Sequence, residues 1–135
     1  MENCILIYDD DREILAVSKL ILEHHNYQVE TRASCKQIIE DIKLVKPAII
    51  FMDLSISQME GEDAIKLIKN NESTREIPVI LFSAFDNIKE ISIRSNANGY
   101  LRKPFTIAEF IDILKQNIPG GVCFLIFFLN NFPGI

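Results

Sequence analysis

The residues that could do chemistry in this sequence are carboxylates, a hydroxyl and an amine, each following a short apolar run. They are Asp9 and Asp10 after residues 3–8, Asp53 at the end of 48–53, Ser83 after 78–82 and Lys103 after 98–102. Carboxylates at close range repel each other, and a hard divalent cation relieves that repulsion. Oxygen-only ligands favour Mg²⁺, and a cation, a lysine and a hydroxyl together would bind a phosphoryl group. Because aspartate can attack phosphorus, these residue types predict Mg²⁺-assisted phosphoryl transfer if the fold brings them together.

Alternating strands and helices are the elements that must position these side chains. Apolar, β-rich runs predict five strands, over 3–8, 27–31, 48–53, 78–82 and 98–102. Helically spaced apolar residues predict five helices between and after them. These helices cover about 13–23, the segment from Ser34 to before Pro47, and about 62–70, 87–95 and 106–117. This alternation calls for a parallel sheet with helices on both faces, where ligands bind outside the carboxyl ends of the strands. All the polar side chains named above are therefore expected at one edge of one sheet.

Three helix starts carry capping signals. Asp11 is expected to cap the first helix, Ser34 and Gln37 form a capping-box pattern for the second, and Thr106 is expected to cap the fifth. The core face of the fifth helix is predicted to consist of Ile107, Phe110, Ile111 and Leu114. These signals predict where the helices begin relative to the strand ends.

Composition limits the class of protein. The 135 residues carry a net charge of −5, which argues against a nucleic-acid-binding surface. The three cysteines, Cys4, Cys35 and Cys123, are too scattered for a disulfide framework and fit a reducing, cytoplasmic location. No apolar run approaches the roughly 20 residues that span a bilayer. The sequence is therefore interpreted as a cytoplasmic protein without a membrane span.

Five short motifs, taken together, resemble one family. They are Tyr-Asp-Asp-Asp at 8–11, Met-Asp-Leu at 52–54, Met-Glu-Gly at 59–61, Phe-Ser-Ala at 82–84 and Tyr-Leu-Arg-Lys-Pro-Phe at 100–105. In this order, the motifs resemble the receiver domain of bacterial two-component response regulators over about residues 3–117. The resemblance implies an α/β, flavodoxin-like, doubly wound five-stranded parallel sheet of order 2-1-3-4-5 with five helices. It divides the chain into a receiver domain, 1–118, and an apolar C-terminal tail, 119–135.

The resemblance also implies site residues. Asp53 would be the phosphoacceptor, and Mg²⁺ would be held by Asp9, Asp10, Asp53 and the backbone carbonyl of Ser55. The phosphoryl group would be bound by Lys103, Ser83 and Ala84.

Other implied features concern the response to phosphorylation. The Lys103–Pro104 bond would be cis, Ser83 would move toward the phosphoryl group, and Tyr100 would turn inward after it. The face formed by the fourth helix, fifth strand and fifth helix would then change shape and contact a downstream protein.

The leading hypothesis is therefore a stand-alone response regulator, not an enzyme, phosphorylated by a histidine kinase or a histidine phosphotransfer protein. A non-phosphorylated scaffold with the receiver fold remains an alternative. A phosphohydrolase would want an acid two residues after the nucleophile, where this chain has Ser55. A flavin or nucleotide binder would want a phosphate-cradling loop in place of residues 9–11, which are all aspartate.

The sequence departs from the family pattern in a few places. Ser57 replaces a usual proline, and the segment from Ser83 to Lys103 is about two residues shorter than is common. Phe85, two residues after Ser83, offers no hydrogen bond to an attacking water and predicts slow autodephosphorylation. The apolar run 122–129 is too short to span a membrane. It is either a reading-frame or truncation scar, or an element that covers apolar surface, as in a homodimer.

Overall fold

The computed structural model describes residues 4–56 and 61–118. Strands and helices alternate along the chain: β1 Cys4–Tyr8, α1 Arg12–His24, β2 Gln28–Arg32, α2 Ile38–Val45, β3 Ile49–Asp53, α3 Gly61–Lys69, β4 Val79–Ser83, α4 Ile88–Ser95, β5 Gly99–Arg102 and α5 Ile107–Asn117. The predicted Ser57 loop and the predicted tail, 119–135, lie outside the described residues. Within the described part of the chain, no helix is both long and apolar enough to cross a membrane.

The sheet is parallel throughout, with strand order β2-β1-β3-β4-β5. Every residue of β1, β3 and β4 is buried, as expected for central strands covered on both faces. β2 and β5 form the edges and bury fewer residues. The predicted flavodoxin-like fold class, with its strand order and five helices, is confirmed.

Two cores lie on opposite faces of the sheet because side chains alternate along each strand. Leu6, Tyr8, Ile50 and Met52 point into a core shared with α2, α3 and α4. Their neighbours in sequence, such as Ile5 and Phe51, point into a second core with α1 and α5. The aromatic centre of the second core consists of Phe51, Phe82, Phe105 and Phe110, whose rings meet edge to face.

The helix starts agree with two of the three capping predictions. Asp11 caps α1 by accepting hydrogen bonds from the backbone N–H groups of Glu13 and Ile14. Thr106 and Glu109 form a reciprocal capping box at the start of α5.

The predicted start of the second helix is wrong. α2 begins at Ile38, and Gln37 makes no capping hydrogen bond. The hydroxyl of Ser34 instead accepts from the backbone N–H of Lys36, a local turn that competes with helix formation. Ile107 is also misassigned, because it is 54% exposed, whereas Phe110, Ile111 and Leu114 are buried as predicted. As the first residue of α5, Ile107 precedes the turns that pack on the sheet.

The buried face of α4 is half polar. Beside Ile88 and Ile91 it buries Ser92 and Ser95, and the Ser95 hydroxyl donates to the carbonyl of Ile91. At its C-terminal half, the Arg94 guanidinium donates two hydrogen bonds of 2.8 Å to the Glu62 carboxylate on α3. A bidentate ion pair therefore joins α3 to α4 where apolar side chains are sparse.

Candidate functional site

Asp53 is the last residue of β3, and its side chain lies at the carboxyl edge of the sheet while remaining 4% exposed. α3 begins at Gly61, which lies against the same backbone. A Cβ atom on Gly61 would lie 2.5 Å from the backbone oxygen of Asp53 and 2.9 Å from Cα of Leu54. Only glycine therefore lets α3 start directly against the backbone that carries Asp53.

Three carboxylates converge at this edge. One oxygen each of Asp9, Asp10 and Asp53 lies within 4.8 Å of the others. Asp9 is 1% exposed, whereas Asp10 is exposed. This set of hard oxygen donors, one of them open to solvent, fits Mg²⁺, which keeps several waters and takes one or two carboxylates.

Lys103 supplies the positive charge of the site. Its Nζ atom lies 3.1 Å from Oδ2 of Asp9 and 3.6 Å from Oδ1 of Asp53. The same atom lies 4.7 Å from the centroid of the Phe82 ring, a cation–π contact. The backbone N–H of Lys103 donates to the carbonyl of Ser83, and the Lys103–Pro104 peptide bond is cis.

Burial and like charge shift the ionisation of Asp53. Desolvation, followed by repulsion from Asp9, raises the pKa of the Asp53 carboxyl to about 6. The ammonium of Lys103 and the backbone N–H of Ser55 oppose this by stabilising the carboxylate. Independently of that shift, three carboxylates and one ammonium leave the site with excess negative charge, which favours a further cation.

The remaining predicted residues lie around this centre. Ser83 ends β4, is buried, and accepts a hydrogen bond from the backbone N–H of Phe85 through its hydroxyl. Ala84 is exposed in the loop that follows β4. Ser55 is exposed in the turn that follows β3. Tyr100 lies within β5, paired with Leu81, and is 37% exposed. The carboxyl edge thus brings together Asp9, Asp10, Asp53 and Lys103, whereas Tyr100 lies further down the sheet.

Sequence reasoning missed two contributors. Gly61 appeared only as part of a motif, although a glycine at a predicted helix start was a usable signal. Arg102 was also missed: its guanidinium donates to the carbonyl oxygens of Phe85 and Asp86 and pairs with the Asp86 carboxylate. Arg102 therefore holds the β4–α4 loop against β5, next to Ser83.

Comparison with known proteins supplies the class. The family model "response regulator receiver domain" matches residues 5–115. The nisin biosynthesis regulatory protein NisR of Lactococcus lactis is 32% identical over 116 residues, which cover 84% of this chain and 49% of NisR. Protein PilG of Pseudomonas aeruginosa is 29% identical, covering 86% of this chain and 87% of PilG. The chain therefore spans about half of NisR but most of PilG.

A solved structure gives the same result. The receiver domain of the sensor histidine kinase PA1611 from Pseudomonas aeruginosa, with magnesium coordinated in its active-site cleft, superposes with a TM-score of 0.79. It is 26% identical, and the alignment covers 89% of this chain and all of that one.

A doubly wound sheet with three acids and a lysine at its carboxyl edge defines a class of signalling module. The chain belongs to the response regulator receiver domain family of two-component systems.

The contact at Gly61 yields a first prediction. Gly61→Ala should destabilise the fold by about 1–3 kcal/mol, because the new methyl group meets backbone atoms that cannot move aside. Gly99→Ala is the matched control, since its Cβ would meet only the side-chain ends of Ile80 and Ile113, at 3.2 and 3.5 Å. Urea unfolding of both variants measures the difference, and equal stability of the two would contradict the proposed clash.

The raised pKa of Asp53 yields a second prediction. The pKa of the Asp53 carboxyl is near its ordinary value of 3.8 in the unfolded chain and near 6 in the folded one. Ionisation of Asp53 therefore lowers the free energy of unfolding, and this loss is absent at low pH and complete above pH 6. Asp53→Asn should therefore stabilise the metal-free protein by about 1–3 kcal/mol at pH 7.5 and by little at pH 4.

Unfolding in a chelator at both pH values measures this effect. Asp112→Asn, which changes an exposed carboxyl on α5, is the control. A gain for Asp53→Asn that does not grow between pH 4 and 7.5 would show that the charge is not what destabilises the site.

Proposed function

We propose that this chain is a stand-alone response regulator in which Asp53 accepts a phosphoryl group from a histidine kinase or a histidine phosphotransfer protein. The observation that carries the proposal is the cluster of Asp9, Asp10 and Asp53, with the Lys103 ammonium 3.6 Å from Asp53. Three acids and one lysine suit a site that gains phosphate together with a cation. The receiver domain is assigned to 1–118, and the tail 119–135 is given no role in the chemistry.

The reaction places distinct demands on each side chain. An oxygen of the Asp53 carboxylate forms the new bond to phosphorus, and the donor's histidine nitrogen leaves. A raised pKa leaves Asp53 ionised, hence nucleophilic, above about pH 6. Lys103 lies close enough to contact the phosphoryl oxygens, and its pairing with Asp9 fixes its position.

Asp9 and Asp10, with Asp53 and the Ser55 carbonyl, would hold Mg²⁺. When bound, Mg²⁺ supplies positive charge that stabilises the phosphoryl oxygens. Its coordination to the PA1611 receiver domain supports this assignment for a related site.

Ala84 is assigned to phosphoryl binding together with Lys103 and Ser83, and the response to phosphorylation is assigned to Ser83 and Tyr100. The Ser83 hydroxyl is engaged only by the backbone N–H of Phe85 among the described residues, so it is available to donate to a phosphoryl oxygen. Movement of the loop toward Asp53 would open space beneath Tyr100, which could then turn inward. The face formed by α4, β5 and α5 would transmit the change to a downstream protein in the cytoplasm, with no nucleic acid involved. A second copy of this chain, in a homodimer, is an alternative partner.

Phosphorylation provides the direct test. The protein is incubated with Mg²⁺ and a small phosphodonor, and the intact mass is measured. One phosphoryl group should be gained by the wild type and none by Asp53→Asn. No gain at any Mg²⁺ concentration would favour the alternative of a non-phosphorylated scaffold. A chelator should abolish the gain, which separates Mg²⁺-dependent transfer from phosphoryl transfer that needs no metal.

The environment of the site predicts the lifetime of the phosphoryl group. Phe85 is 48% exposed beside Ser83, and its ring cannot orient a water for attack on phosphorus. Phe85→Glu should therefore shorten the half-life by about tenfold, less than the roughly 10²–10⁴-fold effect of a fully positioned acid–base group, because the new carboxylate only helps to orient the water. Phe85→Leu, equally unable to orient water, is the control. Decay of the phosphorylated mass over time measures this, and slower decay in Phe85→Glu would contradict the prediction.

A further inference from the structure

Tyr8 is a fully buried tyrosine directly before the first acid of the site. Its hydroxyl donates a 2.7 Å hydrogen bond to Oδ2 of Asp41 on α2, 33 residues away in sequence. Burial, followed by the hydrogen bond to Asp41, raises the pKa of the Tyr8 hydroxyl, which therefore keeps its proton. The proposed chemistry at Asp53 uses neither Tyr8 nor the partly buried Asp41, so this hydrogen-bonded pair requires another explanation.

The pair belongs to a closed circuit of contacts. Oδ1 of Asp41 lies 3.5 Å from Nε of Arg32, the last residue of β2. The carbonyl of Arg32 accepts a 3.2 Å hydrogen bond from the backbone N–H of Asp9. Asp9 is covalently next to Tyr8, so the circuit runs from Tyr8 through Asp41 and Arg32 back to Asp9.

The circuit includes Asp9, which is the most buried acid of the site. The Asp9 carboxylate is also held by the backbone N–H of Asp11 at 2.9 Å and by Nζ of Lys103 at 3.1 Å. These contacts orient the carboxylate relative to its own backbone and to β5, whereas the circuit fixes that backbone relative to β2 and α2. Residues that contact a metal ligand without touching the metal influence the affinity of the site for the ion, because they limit the positions that the ligand can take before the ion binds.

We propose that Tyr8 and Asp41 are positioning residues that act through Arg32 to hold the Asp9 backbone in the arrangement that binds a divalent cation. This inference rests on the proposed function for the identity of the cation, Mg²⁺. It goes beyond that function because α2, which contributes no residue to the acidic cluster, becomes part of the cation site.

The test is Mg²⁺ affinity, measured by calorimetry on metal-free, full-length protein at a temperature where each variant is folded. Tyr8→Phe keeps the ring in its core position and removes only the hydroxyl. Its Mg²⁺ dissociation constant should rise about three- to tenfold, below or at the lower limit seen when a direct partner of a metal ligand is removed. Glu30→Gln is the matched control, because Glu30 pairs with the Arg32 guanidinium at 3.3 Å but lies outside the circuit. It should leave Mg²⁺ affinity unchanged.

A double variant tests whether the two residues act through one path. Asp41→Asn alone should weaken Mg²⁺ binding, and Tyr8→Phe combined with Asp41→Asn should weaken it no more than the stronger single change does. Additive losses would indicate independent effects and overturn the circuit. Unchanged Mg²⁺ affinity in Tyr8→Phe, with lower thermal stability, would reduce Tyr8 to an anchor for α2.

The outcomes also separate this inference from the proposed function. A wild type that binds Mg²⁺ without accepting a phosphoryl group contradicts the proposed function. The Mg²⁺ affinities of the variants still decide the circuit in that case. A wild type that binds no Mg²⁺ overturns both the circuit and the cation assignment.

Discussion

The position of the Lys103 ammonium between two buried carboxylates is the interaction on which the rest of the structure depends. Asp9 and Asp53 are each less than 5% exposed, and two such charges without a nearby cation would be strongly unfavourable. Lys103 lies 94 residues after Asp9 in the sequence. Its side chain must also extend past the end of β4, since β5 is two strands away from β3. The contact between Nζ and the Phe82 ring gives the ammonium a favourable surface along that path.

The parallel sheet makes this convergence geometrically simple. In a parallel sheet, consecutive strands deliver their carboxyl ends to the same edge, and β1 and β3 are neighbours in the order 2-1-3-4-5. The register pairs Tyr8 with Met52, so Asp9, which follows β1, and Asp53, the last residue of β3, lie at the same level of the sheet edge. The same edge has loops in place of regular backbone, so polar side chains can be held there without interrupting the ladder of hydrogen bonds. An acidic cluster within either core would have neither solvent nor such partners.

The sequence predicts this edge well because each acid or base follows an apolar run, and the position of such a run needs no tertiary information. The spatial order of the strands is different: alternation indicates only a parallel sheet, and the order came from the resemblance carried by motifs such as residues 100–105. The misplaced start of α2 reflects a local competition, since Ser34 bonds to Lys36 in a turn that the capping pattern does not distinguish from a helix. The contact of Tyr8 with Asp41 could not be predicted, because it depends on how α2 docks against β1. Ile107 was misplaced for the same reason, as exposure at a helix start is set by the angle of approach to the sheet.

Stability is distributed unevenly around the site, and this bears on how a change at Asp53 could be transmitted. β1, β3 and β4 are buried along their whole length, so displacing them would expose two cores at once. The loop after Ser83 is attached by polar contacts instead: the Phe85 N–H to the Ser83 hydroxyl, and the Arg102 guanidinium to two carbonyls. Each such contact contributes on the order of 1 kcal/mol, and solvent can replace the exposed ones.

α4 continues the same pattern, since two buried serines and the exposed Arg94–Glu62 pair stand where a core helix would place larger apolar groups. Segments held in this way open at lower free energy than those held by apolar burial. A new charge at Asp53 would therefore displace the β4–α4 loop and α4 more easily than the strands that carry the acids. The buried strands hold the acids in place, whereas the β4–α4 loop and the C-terminal half of α4 are attached largely by polar contacts.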